Sequence, residues 1–204
     1  MEFTNGDKYT GDWVDGIRTG QGFLEKENEQ LSGQFKDNKQ HGKGKMDYAN
    51  GDKYTGDWVD GIRTGQGFLE KENEQLSGQF KDNKQHGKGK MDFASGDNYT
   101  GDWVHGSRGW WKENKAHGTG KMHCANGDKY TGDWVDGAIT GEGVYIFANG
   151  GRYEGQFKDD KFHGKGKRDY PNGDKYTGDW VDGTMTGEGV YIYASGNRYE
   201  RKHS

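Results

Sequence analysis

The sequence is poor in cysteine, proline and apolar residues. Of its 204 residues, one is cysteine, one is proline and 28% are hydrophobic. The single cysteine, Cys124, excludes an internal disulfide and favours a reducing compartment. No stretch approaches the roughly 20 apolar residues of a membrane span, and the N-terminus lacks the apolar core of a signal peptide. We therefore expect a soluble, intracellular, cytoplasmic chain.

The residues that are abundant are glycine and the aromatics. There are 38 glycines, aromatic residues make up 14% of the chain, and the formal net charge is -4. Intrinsic disorder is typical of sequences with few aromatics and a high net charge, so this composition argues against it. Many glycines and aromatics with almost no proline indicate strands joined by tight turns.

An internal repeat dominates the sequence, with about nine copies of a unit of roughly 23 residues. The string Y-T-G-D-W-V recurs five times, and the related strings L-S-G-Q-F-K and Y-E-G-Q-F-K lie between its copies. Residues 6–47 and 51–92 are identical. We predict a single tandem-repeat domain over 1–204, incomplete at both ends, whose units start near 9, 31, 54, 76, 99 (irregular, 99–129), 130, 153 and 176.

Each unit contains two strand-like segments. In Tyr9–Val14 the residues alternate, so that Tyr9, Gly11 and Trp13 share one face of the strand. Turn signals of the Asp-Gly and Asn-Gly type separate such segments, as at 15–16 and 149–150. The pattern predicts a β-hairpin in every unit.

One hairpin cannot bury its own aromatic face, but adjacent hairpins can do so by pairing. We therefore predict an all-β fold: an elongated, twisted, single-layer antiparallel ribbon of tandem hairpins. A glycine beside an aromatic leaves bare backbone, on which a ring from a neighbouring strand can lie. The expected aromatic spine consists of Tyr9, Trp13, Tyr54, Trp58, Tyr99, Trp103, Tyr130, Trp134, Tyr176 and Trp180.

The repeat resembles the MORN (membrane occupation and recognition nexus) repeat family. Its pattern Y-x-G-x-W-x-x-G-x-x-x-G-x-G, followed by N-G-x-x-Y, stands here at Tyr130, Gly132, Trp134, Gly137, Gly141, Gly143, Asn149, Gly150 and Tyr153. The resemblance implies a hairpin ribbon used for scaffolding, dimerisation or membrane attachment, with members in cilia and parasite cytoskeletons. An association with the cytoskeleton, a cilium or a membrane would fit it, and the catalytic domains of some members have no counterpart here.

The sequence offers no catalytic, cofactor or metal site that the repeat does not explain. Histidines such as His41 and His86 recur once in every two hairpins, so in a paired sheet they would lie about 19 Å apart. Zinc ligands lie near 2 Å from one ion, so these histidines are not expected to form a metal site. The G-K-G-K strings lack the spacing and the helix of a phosphate loop. Repeated carboxylates such as Asp12 are expected on a solvated strand face. We predict a non-catalytic scaffold or protein-interaction module without a cofactor.

Charge alternates between neighbouring units. The unit 9–30 carries a net charge of -3 and the unit 31–53 carries +2. Acidic and basic bands favour docking onto other proteins or onto another copy of the chain. The alternative is a membrane-proximal module that binds anionic phospholipids such as phosphoinositides, through Lys36, Lys39, Lys43 and Lys45. Nucleic acid is not an expected partner.

Two apolar features are candidates for a contact surface between copies of the chain. In the C-terminal units the second strands are apolar on both faces, and their outward residues are Val144, Ile146, Val190 and Ile192. The irregular unit contributes Trp110 and Trp111. Either these tryptophans form a lone third strand, which would reverse the direction of all later strands, or residues 105–118 form one long loop, which would preserve it. The alignment of Trp111 with Phe35 favours the strand.

Overall fold

A computed structural model describes residues 1–104 and 115–201 of the chain. These residues form seventeen β-strands, with no helix among them. The predicted all-β fold of tandem antiparallel hairpins is confirmed. The chain divides into two compact units, Met1–Ala94 (the N-terminal unit) and Ser95–Ser204 (the C-terminal unit).

The strands are seven to ten residues long, except for the last, which has four. In the N-terminal unit they are β1 (Lys8–Val14), β2 (Ile17–Glu25), β3 (Gln30–Lys36), β4 (Lys39–Asp47), β5 (Lys53–Val59), β6 (Ile62–Glu70), β7 (Glu74–Lys81) and β8 (Lys84–Phe93). In the C-terminal unit they are β9 (Asn98–Val104), β10 (Lys115–His123), β11 (Lys129–Val135), β12 (Ala138–Ile146), β13 (Arg152–Lys158), β14 (Lys161–Asp169), β15 (Lys175–Val181), β16 (Thr184–Ile192) and β17 (Arg198–Arg201).

Within each unit, strands that are consecutive in the chain pair antiparallel. A row of glycines sets the register: Gly56 of β5 pairs with Gly44 of β4 on one side and with Gly67 of β6 on the other. The same glycine-to-glycine pairing runs from Gly11 to Gly89 in the N-terminal unit and from Gly101 to Gly189 in the C-terminal unit. The shared register places the repeated residues of successive hairpins in line.

The two faces of each sheet differ in composition. The core face carries the tyrosines and tryptophans of the first strands, together with Leu24, Met46 and their equivalents in the second strands. The outer face carries the residues that alternate with these along each strand, such as Thr55, Asp57 and Val59 in β5. We use the names core face and outer face in this sense below.

In the irregular repeat at 99–129, the two described strands, β9 and β10, form one hairpin. β9 pairs directly with β10, and Val104 is opposite Lys115, as Val59 is opposite Ile62 in a regular hairpin. β10 then pairs antiparallel with β11, so β9 and β11 run in the same direction. The reversal expected from a lone third strand is therefore wrong. Trp110 and Trp111 lie outside the described residues.

Candidate functional site

In the repeats that begin with tyrosine, the tyrosine ring lies flat on a pair of glycines. A Cβ atom added to Gly67 would come within 2.5 Å of the Cε2 and Cζ atoms of Tyr54, so any side chain there would displace the ring. The Tyr54 hydroxyl donates a hydrogen bond to the carbonyl oxygen of Asp57, at 3.3 Å. Burial raises the pKa of Tyr54 to about 12. The Tyr and Gly residues of the motif thus act together to build the core face.

The aromatic rings form rows along the core face. Nine of the ten residues expected in the spine are buried, and Trp13 is half-buried. Within each first strand the Tyr and Trp rings meet edge to face, with centroids 5.0–5.3 Å apart. In the C-terminal unit, Phe157 and Tyr153 link these pairs into one row from Trp103 to Tyr176. Such edge-to-face pairs add about 0.5–1.5 kcal/mol each beyond area burial.

The repeated carboxylates have a structural role that the sequence pattern did not reveal. A register shift after Gly56 leaves two extra residues in β6, and the Asp57 Oδ2 atom accepts a hydrogen bond from the Gln66 N–H there, at 2.8 Å. Where the repeat has glutamine, Gln34 Oε1 accepts the N–H of Lys43 instead. The same bond recurs as Asp12–Gln21, Gln79–Lys88, Asp133–Glu142, Gln156–Lys165 and Asp179–Glu188.

The environment of Asp57 keeps its carboxyl group in the ionised form. Partial desolvation works to raise the pKa of Asp57, but hydrogen bonds from Lys43 Nζ and from the Gln66 N–H outweigh it and hold the pKa below its ordinary value. Its two oxygens are therefore engaged as an ionised acceptor within the sheet. A general acid or base would need the opposite tuning, with a pKa near neutrality.

Aspartates at the Asn-Gly turns join successive hairpins of the C-terminal unit. Asp174 accepts hydrogen bonds from the Ala194 N–H at 2.7 Å and from the Tyr191 hydroxyl at 2.8 Å. These bonds, that of Ala194 first, lower the pKa of Asp174. Asp128 accepts the corresponding bonds from Tyr145 and Ala148, and its pKa is lowered as well.

These aspartates predict a loss of stability in acid. A carboxyl whose pKa is depressed by folding stabilises the folded state above its unfolded pKa, near 3.9, and loses that contribution as pH falls through the folded pKa. We expect urea midpoints to fall between about pH 6 and about pH 3. In a variant with Asp128→Asn and Asp174→Asn the midpoint should be lower at the higher pH and should change less with pH. An unchanged pH dependence in that variant would contradict the assignment, and Glu188→Gln provides the control.

The repeated histidines pair with turn aspartates and are not brought together. His41 Nδ1 lies 3.4 Å from Asp60 Oδ1, and His117 lies 3.7 Å from Asp136. In residues 1–104 and 115–201, no three His, Cys, Asp or Glu side chains are grouped as a metal site requires. His41, His117 and His163 instead each lie within 4.0 Å of an aspartate in the turn of the following hairpin.

The proposed contact residues of the C-terminal unit lie on the outer face. Ile146 and Ile192 are each 41% exposed, and Val144 and Val190 are half-buried. The register places Ile146 between Lys129 and Arg152 on the neighbouring strands. The two apolar pairs occupy β12 and β16, four strands or about 19 Å apart.

The four lysines considered for lipid contact also lie on the outer face, in different settings. Lys36 and Lys39 are exposed and face each other across β3 and β4, next to the turn. Lys43 Nζ lies 2.5 Å from Asp57 Oδ1, and Lys45 Nζ lies 2.9 Å from Asp47 Oδ2. The latter two cations are therefore partly neutralised by neighbours.

No helix in the described part of the chain is long and apolar enough to cross a bilayer.

Comparison with protein families identifies the repeat. A family model described as MORN repeat matches eight segments of the chain: residues 9–28, 32–53, 54–73, 77–98, 108–129, 130–152, 153–175 and 176–198. A search of curated proteins found no significant match.

Two solved structures are similar to this chain. The G-box domain of the microcephaly protein CPAP, from a study that suggests a role in centriole elongation, matches over 100% of this chain and 97% of its own length, with 14% sequence identity and a TM-score of 0.51. The TCP domain of SAS-4 (dCPAP) from Drosophila melanogaster, in complex with a proline-rich motif of Ana2, matches over 79% of this chain and 85% of its own, with 14% identity and a TM-score of 0.47. The similarity to the CPAP G-box domain is a similarity of fold.

Proposed function

Because the chain belongs to the MORN repeat family, we propose that it is a non-catalytic scaffold module that binds proteins and associates with further copies of itself. The residues that recur in most hairpins hold the sheet together: tyrosine on glycine, and carboxylate or amide on a backbone N–H. The residues that vary between hairpins are then the ones available to bind partners. Family membership supports a binding module, and the proposal of self-association rests on the outer face of the C-terminal unit.

The observation that carries self-association is a repeated patch with an apolar centre and a charged rim. Val144 and Ile146 form the centre of one patch, bordered by Lys129 and by the Arg152–Glu154 ion pair at 2.6 Å. The second patch repeats this arrangement with Val190, Ile192, Lys175, Arg198 and Glu200. An apolar centre with a polar rim is the usual anatomy of a protein interface.

Two copies of such a patch suit a symmetric dimer. A two-fold axis would place the first patch of one chain against the second patch of its partner, so that both patches are buried in one event. Each buried aliphatic side chain would contribute at most about 1.5–3 kcal/mol. Lost rotational freedom and desolvation of the rim would offset much of this, so the association should be moderate in strength.

Charged substitutions at the two patches test this proposal. We expect Ile146→Glu with Ile192→Glu to keep the β-rich circular dichroism spectrum and to convert dimers to monomers in multi-angle light scattering. The matched control is Val135→Glu with Val181→Glu, which adds the same charge to the outer face near the turns, where both valines are 47% exposed.

Two results would contradict the proposal. If dimers persist in the Ile146→Glu, Ile192→Glu variant, the patches are not the dimer interface. The candidates would then be the edge of β17, where Tyr199 is 60% exposed, or Trp110 and Trp111. Dissociation of the control to the same extent would show that added charge alone disrupts the dimer.

A specific feature of the N-terminal unit supports binding of anionic phospholipid as the second candidate. Along the turn rim of the outer face, the Lys36–Lys39 pair lies between two exposed apolar pairs, Val14–Ile17 and Val59–Ile62. Apolar side chains next to cations are suited to the surface of an anionic bilayer.

Vesicle sedimentation tests the second candidate. We expect the protein to pellet with phosphatidylcholine vesicles that contain phosphatidylserine, less so as salt increases, and not with phosphatidylcholine alone. Lys36→Glu with Lys39→Glu should weaken pelleting, although the identical Lys81–Lys84 pair of β7 and β8 remains. Lys158→Glu with Lys161→Glu, the equivalent pair in the C-terminal unit, should leave pelleting unchanged. Equal pelleting of all proteins, or none, would exclude this rim as a lipid contact.

A further inference from the structure

Two versions of the same hairpin differ at the position of the buried tyrosine. In the hairpin of β13 and β14, the Tyr153 ring is fully buried and stacks on Phe162, with centroids 3.7 Å apart. It also meets the Trp180 ring of the next hairpin at 5.3 Å. The hairpin of β3 and β4 has Leu31 and Gln40 at the two corresponding positions. Two rings are therefore replaced by smaller, non-aromatic side chains.

A pocket lies on the core face where these rings are missing. Its volume is about 540 Å³, and Leu31, Phe35, Gln40, Met46 and Trp58 contribute to its wall. A cavity of about 150 Å³ is enough to bind benzene. This pocket can therefore hold an aromatic side chain and part of the chain that carries it. The aromatic row of the N-terminal unit is interrupted at this place, because Leu31 offers no ring to Trp58.

A buried acceptor in the wall has no partner. Gln40 is 3% exposed, and its Nε2 atom donates to the carbonyl oxygens of Ser32 at 3.3 Å and Lys45 at 2.9 Å. Both partners are acceptors, which fixes the orientation of the amide. The Gln40 Oε1 atom then has no hydrogen-bond partner among the described residues. A buried acceptor without a partner destabilises the fold, and a donor from a ligand would satisfy it.

An unpartnered donor lines the same pocket. The Arg63 Nε atom is buried without a hydrogen-bond partner in the described part of the chain, while its Nη2 atom donates to the carbonyl oxygen of Asn83 at 2.7 Å. The guanidinium lies over the rings of Tyr48 and Tyr54, which hold it in place. One acceptor and one donor match the N–H and C=O groups that an extended peptide presents.

The charge around the pocket is predominantly positive. Arg18, Lys26, Lys39 and Arg63 contribute to its wall together with one acid, Asp7. Lys26 is partly neutralised by Glu29 at 3.3 Å, whereas both arginine side chains bond to neutral asparagine oxygens. Electrostatic complementarity therefore favours an acidic ligand.

We propose that this pocket binds an aromatic side chain from an acidic, extended segment of a partner protein. The ring occupies the space that Tyr153 and Phe162 fill in their own hairpin. The peptide N–H satisfies Gln40 Oε1, a peptide carbonyl accepts from Arg63, and acidic flanking residues lie near Arg18 and Arg63. The site is on the core face of the N-terminal unit, so it goes beyond the self-association proposed for the outer face of the C-terminal unit and does not depend on it.

Designed peptides test the pocket on the full chain. The probe is a fluorescently labelled acetyl-DEEFEED-amide, compared with the same peptide in which Phe is replaced by Ala and with acetyl-KKKFKKK-amide. We expect saturable binding of the first peptide by fluorescence anisotropy, binding at least about tenfold weaker for the second, a difference of about 1.4 kcal/mol, and none for the third. Equal binding of the Phe and Ala peptides, or no binding of either at millimolar protein, would overturn the proposal.

A variant that copies the filled hairpin gives the decisive control. Leu31→Tyr with Gln40→Phe reproduces Tyr153 and Phe162 and should remove binding of the acidic peptide while raising the urea midpoint. Ser32→Tyr adds a ring to the opposite face and should bind as the parent does. Arg63→Gln should weaken binding at least about fivefold and reduce its salt dependence.

The outcomes separate this site from its alternatives. Parent-like binding by the filled variant would overturn the proposal. If that variant did not fold, the two Phe and Ala peptides and Arg63→Gln would still decide it. Displacement of the peptide by phosphatidylserine vesicles, with direct binding of those vesicles lost in the filled variant, would assign the pocket to a lipid instead of a peptide. Light scattering of the same proteins reports self-association separately, so failure here leaves the dimer proposal intact.

Discussion

Trp58→Ala is expected to lower the free energy of unfolding by about 3–5 kcal/mol, the usual cost of removing a large buried ring. Trp58 is 5% exposed, meets the Tyr54 ring edge to face at 5.1 Å and donates its Nε1–H to the Gly44 carbonyl oxygen at 3.1 Å. The substitution removes the ring packing and leaves that carbonyl without its donor. Urea unfolding followed by circular dichroism measures the loss.

Asp60→Asn is the control for this prediction. Asp60 lies in the turn that follows β5, with a φ of 51°, and its carboxylate contacts only His41 among the described side chains, at 3.4 Å. Asparagine tolerates this backbone conformation, and exposed ion pairs contribute about 0–1 kcal/mol. Similar effects of the two substitutions would show that the core face does not dominate stability.

Gly67→Ala is expected to destabilise the N-terminal unit by about 3 kcal/mol, the upper range for overpacking. The new methyl group would overlap the Tyr54 ring, which lies against the backbone of Gly56 and Gly67. Tyr54 would have to leave this position, so its hydrogen bond to Asp57 and its contacts with Trp58 would be lost together. The urea midpoint, and the near-ultraviolet dichroism of the tyrosines, should both fall.

Gly61→Ala separates this steric effect from a backbone effect. Gly61 has a φ of 82° in the turn after β5, and a Cβ atom there would meet nothing within 4 Å. Its substitution costs about 1–2 kcal/mol because an L-residue is strained in the left-handed region. If Gly61→Ala lowered the free energy of unfolding more than Gly67→Ala, the need for glycine at position 67 would not come from its close contact with Tyr54.

The structure separates the residues that build the sheet from those available for binding. Tyr54, Gly67 and Asp57 bond to one another or to the backbone, and their equivalents do so in other hairpins. Leu31 and Gln40 on one face differ from Tyr153 and Phe162 of β13 and β14. Ile146 on the other face differs from Glu25 of β2 at the equivalent position. The two proposed sites therefore arise from differences between repeats.

The sequence by itself determined the repeat unit, the hairpins and the aromatic face. Strand alternation fixed which side of β5 carries Tyr54 and Trp58, because successive side chains of a strand point to opposite faces. The Asp-Gly and Asn-Gly turns fixed the hairpins, since both residues tolerate positive φ. These are local properties, which the order of residues within one unit is enough to specify.

The tertiary structure alone decided the features that depend on register between strands. The shift after Gly56 made Asp57 an acceptor for the Gln66 N–H, although alternation indicated a solvated carboxylate. The direct pairing of β9 with β10 kept the strand direction through the irregular repeat. The pocket beside Gln40 exists because Trp58 has Leu31 on the preceding hairpin, where Trp180 has the Tyr153 ring. Each of these three features depends on which residues face one another across neighbouring strands. That pairing is set by the packing of whole hairpins against one another, so the sequence of a single repeat does not specify it.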